Sequence, residues 1–228
     1  MKGVFVTGTD TGVGKTLFAA ALLLRLGEAG VQAAAYKPVA AGCRRLGGTL
    51  WNADAELLAA AAPLRLPVAE VNPVALEAAV APHLAAADAG IALSAEGLAA
   101  AAPRAGYLVV EGAGGWLVPL GEHETLADLA RRLGLPIVLV VGLRLGCLNH
   151  ALLSAAAVRA DGQHLAGWVA NPLDASMPRA DDNIAALEAR LGAPLLARLP
   201  HCPAADPLAR ARQAATAIGP AALRLLIG

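Results

Sequence analysis

Gly12, Gly14, Lys15 and Thr16 stand close enough in the chain to do one piece of chemistry together. Glycines in a tight turn present backbone N–H groups, a lysine adds a mobile cation, and a hydroxyl offers oxygen to a magnesium ion. That combination suits a run of phosphates. The full stretch is Val6-Thr7-Gly8-Thr9-Asp10-Thr11-Gly12-Val13-Gly14-Lys15-Thr16. A short apolar run over 3–6 precedes it, and an apolar run of helical character over 17–26 follows. In the order strand, glycine loop, helix, the helix N-terminus points unpaired N–H groups and its positive dipole end at the phosphates. The bland alternative, a glycine turn with a solvated lysine, accounts for the loop but not for its flanks. The common pattern G-x-x-x-x-G-K-[ST] wants its first glycine at position 9. Thr9 is there instead, with Gly8 one residue early.

A second constellation is Tyr107-Leu-Val-Val-Glu111-Gly112-Ala113-Gly114-Gly115. An apolar strand ending in a carboxylate and then a glycine loop places an oxygen ligand for magnesium beside a backbone that a ligand can approach closely. Without the phosphate loop, a solvated Glu at a tight turn would serve equally well. Lys37, in Tyr36-Lys37-Pro38, ends another strand-like run, and Pro38 keeps it out of helical geometry. Read alone it is an exposed lysine at an ordinary strand end. Asp54 opens a helix-like run after Asn52, and from spacing alone it reads as a cap or first-turn carboxylate ahead of a metal ligand. The turn over 142–150 contains Gly146, Cys147, Leu148, Asn149 and His150. Its glycines and Asn suit a carboxylate, or else Asn149 simply caps the next helix. Cys147 has no activating base in sequence and reads as a buried thiol. Asn171-Pro172 ends a further strand, where the amide could read a purine or form an Asn-Pro turn.

The elements that must hold these residues alternate. Strand-like runs cover 3–7, 31–36, 107–110, 137–141, 165–170 and 195–199. Helix-like runs cover 15–28, 53–61, 95–102, 126–132, 149–160, 180–190 and 208–218. Strands apolar on both faces suit a parallel sheet covered on both sides, so the expectation is a doubly wound α/β fold with ligands at the carboxyl ends of the strands. The Pro- and Ala-rich segment 63–103 shows no clear strand and is expected to form helices and loops over one end of the site. With 228 residues, one domain over 1–228 is expected. Apolar residues make up 57% and aromatics 3%, so the core is built from Ala, Leu and Val. Charges balance at 18 basic and 18 acidic residues, which gives no electrostatic reason to expect nucleic acid or a membrane surface. The first strand begins so early that no signal peptide is expected, and the run over 135–143 is too short to span a bilayer. Three scattered cysteines without metal-ligand spacing fit a reduced, cytoplasmic enzyme.

Taken together, these elements resemble the dethiobiotin synthetases. The resemblance runs in order through Gly8 to Thr16, Tyr36-Lys-Pro-Val39, Asn72-Pro73, Ala81-Pro-His83, Glu111-Gly-Ala-Gly-Gly-Trp116, Leu145-Gly-Cys-Leu-Asn-His150 and Gly167-Trp-Val-Ala-Asn171. It implies a P-loop NTPase-like fold and a cyclo-ligase acting on 7,8-diaminononanoate, CO2 and ATP with Mg2+, through a carbamate and a carbamic–phosphoric anhydride. It implies that Lys15 steadies the γ-phosphate, that Lys37 stabilises the carbamate, and that Thr11 contacts carbamate or diamine. Thr16, Asp54 and Glu111 match magnesium ligands, which overrides the capping reading of Asp54. Gly12, Val13, Gly14, Leu17, Gly112, Ala113, Gly114, Asn171, Pro172, Pro200, His201 and Cys202 fall in nucleotide-contacting positions. Gly146, Cys147, Leu148 and Asn149 match a loop that reaches the substrate carboxylate of a neighbouring subunit, so a homodimer with shared sites is implied.

There are four departures. Ala41 replaces a Ser or Thr whose hydroxyl touches substrate, leaving only backbone for that contact, and Gly12 replaces a carboxylate found in some relatives. Arg144 replaces a lysine, and Pro172 replaces an Asp beside the adenine-reading Asn. Two rivals share the chemistry or the fold. Amidotransferase-type ligases of cobyrinate synthesis carry an additional glutaminase domain that this length leaves no room for. Partition and septum-positioning ATPases place a signature lysine five residues before the loop lysine, where this chain has Asp10.

Overall fold

The computed structural model describes residues 2–174, 176–202 and 204–228. In chain order the elements are β1 (Gly3–Gly8), α1 (Lys15–Glu28), β2 (Ala33–Tyr36), β3 (Val39–Ala40), β4 (Arg44–Leu46), β5 (Thr49–Trp51), α2 (Ala53–Ala61), α3 (Val68–Val71), β6 (Val74–Ala75) and α4 (Pro82–Asp88). They continue with α5 (Ala95–Ala100), β7 (Tyr107–Glu111), α6 (Leu126–Leu133), β8 (Ile137–Leu143), α7 (Cys147–Ala160), β9 (Leu165–Pro172), α8 (Ala180–Leu191), β10 (Leu195–Arg198), α9 (Pro207–Ala215) and α10 (Pro220–Ile227).

The central sheet has the order β10-β9-β8-β1-β7-β2, with every neighbouring pair parallel. Successive side chains of a strand point to opposite faces, and the core divides accordingly. Phe5, Ala34, Tyr36, Leu108, Val110 and Leu139 face α5, α6, α7 and α8. Val4, Val6, Ala35, Val109, Val138 and Val140 face α1, α9 and α10. Both faces are buried, as the unbroken apolar strands require. The chain leaves β1 for β2 and β7 on one side and for β8, β9 and β10 on the other. Beside β1 the order therefore switches, and loops leaving neighbouring carboxyl ends diverge there to open a crevice.

The alternating elements expected from sequence are present, with informative differences. The second strand starts at Ala33, not at 31, because the Val31 N–H closes the end of α1 on the Leu26 carbonyl (2.9 Å). Within 63–103 the expected helices form, but Val74–Ala75 is a short strand paired parallel to β3. A hairpin, β4–β5, turns on Gly47 and Gly48, whose φ of 55° and 86° suit a two-residue turn. The helical run expected over 208–218 stops at Ala215, and Pro220 starts α10. The Tyr107 hydroxyl ties that last helix to the sheet through the Leu226 carbonyl (2.7 Å).

Candidate active site

The phosphate loop leaves β1 as the sequence leads one to expect. Gly14 caps α1 with a left-handed backbone (φ 96°), and Gly12 is also left-handed (φ 74°). A Cβ on Gly14 would lie 2.2 Å from the Asn171 amide nitrogen. The early glycine has a reason too: a Cβ on Gly8 would lie 2.7 Å from the Val13 side chain and 3.2 Å from the Lys15 stem. Gly8 thus lets the loop fold back onto its own strand.

Lys15 is buried, and its Nζ donates to the Asp10 carbonyl (2.8 Å). Burial lowers its pKa to about 8; Lys37 adds to the effect, while Glu111, Asp10 and Asp54 oppose it. Lys37 follows β2 and is also buried, with Nζ 2.9 Å from Glu111 Oε1 and 3.5 Å from Asp54 Oδ2. Burial pulls this ammonium down, but the Glu111 and then the Asp54 carboxylates more than offset it, so its pKa is raised. Its backbone is pinned as well. The Lys37 N–H donates to Val71 O (2.7 Å), and Asn72 Nδ2 donates to Lys37 O (2.7 Å).

Glu111 ends β7, in register with Val6 of β1. Its Oε1 accepts from Lys37 and from Thr16 Oγ1 (2.8 Å), whereas its Oε2 is buried without a partner. A buried carboxylate oxygen left unmatched costs ~1–3 kcal/mol or more. Such an oxygen beside a second carboxylate and a hydroxyl suits a hard cation. Thr16, Asp54 and Glu111 can hold Mg2+ if phosphate oxygens and water complete its shell. Among the described residues no three His, Cys, Asp or Glu side chains form a metal centre by themselves. Asp54 stands in the first turn of α2, and the cap itself is Asn52, whose side chain accepts from the Ala55 N–H (3.1 Å).

Thr11, Gly12, Gly14, Lys15, Thr16, Leu17, Lys37, Ala41, Asp54, Glu111, Gly112, Ala113 and Gly114 all line one cavity of about 840 Å³. Val13 turns into the core under the loop. Asn171 is buried beside the cavity, its amide donating to the Val13 carbonyl (2.8 Å). Pro172 ends β9, and Pro200, His201 and Cys202 follow β10, outside this lining. Gly146, Cys147, Leu148 and Asn149 also lie outside it, where α7 begins. Asn149 does not cap that helix: Gly146 does, with φ 95°, and Asn149 lies in the first turn. Cys147 is buried, in keeping with an inert thiol. The sequence reading missed Asn52, Leu57, Val80, Pro207 and Arg210, which line the cavity from distant elements. It also missed the hold of Asn72 on Lys37; the only hint was that Asn72-Pro73 belongs to the resemblance.

Comparison with known proteins bears on the family and the fold. A family model described as an AAA domain matches residues 2–209. The chain is 54% identical over 214 residues to an ATP-dependent dethiobiotin synthetase of Pseudomonas paraeruginosa, covering 92% of this chain and 94% of the relative. It is 52% identical to the enzyme of the same name from Cellvibrio japonicus, covering 88% and 90%. Among solved structures, the septum site-determining protein MinD of Pyrococcus horikoshii superposes with a TM-score of 0.61 at 17% identity, over 99% of this chain and 94% of that one. A ParA family ATPase of Chlorobium tepidum gives 0.55 at 18%, over 95% and 96%. These two likenesses bear on the fold alone and agree with a doubly wound P-loop architecture. The long, high-identity matches settle the family: the chain belongs to the ATP-dependent dethiobiotin synthetases.

Proposed function

We propose that this chain, acting as one unit over residues 1–228, closes the cyclic urea of dethiobiotin from 7,8-diaminononanoate and CO2 at the expense of ATP. The observation that carries the reading is the pair of buried lysines, Lys15 and Lys37, lining one cavity with a carboxylate oxygen of Glu111 left unmatched. One substrate amine adds to CO2 and loses a proton, giving a carbamate. A carbamate oxygen attacks the γ-phosphorus of ATP, the bond to ADP breaks, and a carbamic–phosphoric anhydride forms. The second amine attacks the anhydride carbon and expels phosphate, closing the ring.

Two anions must meet in the phosphoryl-transfer step, so catalysis consists of positioning and charge neutralisation more than of nucleophilic help. Lys15 faces the γ-phosphate and Lys37 the carbamate, with Thr11 orienting carbamate or diamine. Backbone N–H groups of Gly12, Val13, Gly14 and Thr16 cradle the phosphates at the N-terminus of α1. Thr16, Asp54 and Glu111 would hold Mg2+, which would supply positive charge to phosphate oxygens when bound. Leu17 and the loop from Gly112 to Gly114 flank the nucleotide, and Asn171, Pro172, Pro200, His201 and Cys202 border the base.

In the same reading Gly146, Cys147, Leu148 and Asn149 serve the substrate carboxylate of a second copy in a homodimer. The fully exposed Leu145 (99%) just before α7 and the exposed Leu153 within it offer apolar surface to a partner. Neither nucleic acid nor a membrane is a partner, and no helix of the described residues is long and apolar enough to cross a membrane. A cytoplasmic location is part of the proposal. The test is ADP formation: it should require bicarbonate and the diamine together, and equal ATP turnover without the diamine would refute the synthetase reading.

A further inference from the structure

Asp10 belongs to the phosphate loop but does not line the cavity. Three contacts nevertheless converge on it. Its Oδ1 accepts the Thr11 N–H (2.7 Å), and its carbonyl accepts the Lys15 ammonium (2.8 Å). Its Oδ2 takes the guanidinium of Arg144, residue 134 positions further along the chain. Arg144 stands just past the end of β8, which pairs with β1, and the Thr9 N–H on Val140 O (3.0 Å) continues that pairing into the loop. Two residues beyond Arg144, Gly146 turns left-handed (φ 95°) and starts α7. Asp10 and Arg144 therefore join two loops that leave neighbouring strands on the same side of the sheet. The carboxyl of Asp10 is held below the usual carboxylate range, first by the Thr11 N–H and further by Arg144 and His150.

We infer that Asp10 and Arg144 form a positioning pair that fixes the phosphate loop for nucleotide binding. Neither side chain lines the cavity. Arg144 anchors the Asp10 carboxylate, which orients the Thr11 peptide, and the Asp10 carbonyl presents the Lys15 ammonium. Both side chains are about half exposed, at 46% and 47%. Exposed ion pairs contribute little to stability, so the pair shows itself in ligand affinity and leaves the fold intact. The guanidinium fork matters as well: Arg144 can hold both the distance and the orientation of the carboxylate, whereas a lysine holds mainly the charge. This inference rests on the nucleotide-binding part of the proposed function but not on the identity of the second substrate.

The experiment is calorimetric titration of ATP with magnesium into the full chain and into Arg144→Gln, Arg144→Lys, Asp10→Asn and the double variant Asp10→Asn/Arg144→Gln, with thermal unfolding alongside. Arg144→Gln and Asp10→Asn should each weaken ATP binding roughly tenfold, as expected for one lost charge-assisted contact. Arg144→Lys should recover part of that loss, through its charge, and the double variant should be no worse than the weaker single one. The unfolding midpoint should stay within about 2 °C, as for other exposed pairs. Single variants within about twofold of the parent in affinity, multiplicative losses in the double variant, or Arg144→Lys no better than Arg144→Gln would overturn the inference. Should Asp10→Asn fail to fold, the comparison of Arg144→Gln with Arg144→Lys decides alone. If the parent makes dethiobiotin and the affinities do not move, the pair is refuted and the enzyme reading stands. If the affinities move as stated and no dethiobiotin forms, the enzyme reading is refuted and the pair stands.

Discussion

Two ammonium groups in one pocket repel each other, and the pocket treats them differently. Lys37 is held charged by the Glu111 and Asp54 carboxylates it contacts, whereas the Lys15 ammonium rests on the Asp10 carbonyl and burial lowers its pKa to about 8. Below that pH Lys15 is an ammonium; above it, in the free protein, it loses the charge that the γ-phosphate needs. In the proposed reaction kcat/KM for ATP should therefore fall about tenfold per pH unit above pH ~8, since that ratio reports ionisations of the free enzyme. A profile flat to pH 10 would show that the Lys15 charge is not required. Lys15 was legible from its glycine loop, whereas Lys37 read alone as an exposed strand-end lysine and was singled out through the resemblance; the structure buries it. Asp54 was not legible from spacing, since capping and metal binding ask for the same residue at a helix start. The structure gives the cap to Asn52 and leaves the Asp54 carboxylate near Lys37.

At the scale of elements, the loop between β1 and α1 is held from β9, which lies two strands away from β1 in the sheet. Asn171 at the end of β9 takes the Val13 carbonyl and occupies the place where a Gly14 side chain would go. Gly14→Ala should therefore both strain the backbone, at about 1–3 kcal/mol, and push Asn171 off Val13. The expected outcome is a lower unfolding midpoint together with at least tenfold weaker ATP binding. Unchanged affinity would mean that the loop tolerates displacement and that its close fit to Asn171 is incidental. Periodicity made the six core strands and most helices legible, because strands buried on both faces and helices with one apolar stripe leave different patterns. It could not reveal β3, β6 or the β4–β5 hairpin. Strands of two or three residues carry too little pattern, although Gly47-Gly48 was a turn signal in plain view.

At the scale of the whole molecule, the sheet resembles that of MinD and ParA ATPases, yet fold alone does not choose among their chemistries. The local groups that bear on that choice are Asp10 in the phosphate loop and the Lys37 and Glu111 pair in the cavity. The far walls, Val80, Pro207 and Arg210, were illegible in sequence because only the folded topology brings them to the crevice. The proposed homodimer makes its own prediction. Mixing inactive Lys15→Ala and Asn149→Ala variants under subunit exchange should restore partial turnover, since one site of each mixed dimer keeps both residues. Absence of recovery despite demonstrated exchange would count against shared sites. The central claim is that carbamate oxygen meets γ-phosphorus between Lys15 and Lys37. It is tested most directly by supplying bicarbonate labelled throughout with oxygen-18 and weighing the phosphate released in a single turnover. The proposed route transfers one labelled oxygen from carbamate to phosphate as the ring closes, and phosphate released without label would contradict it.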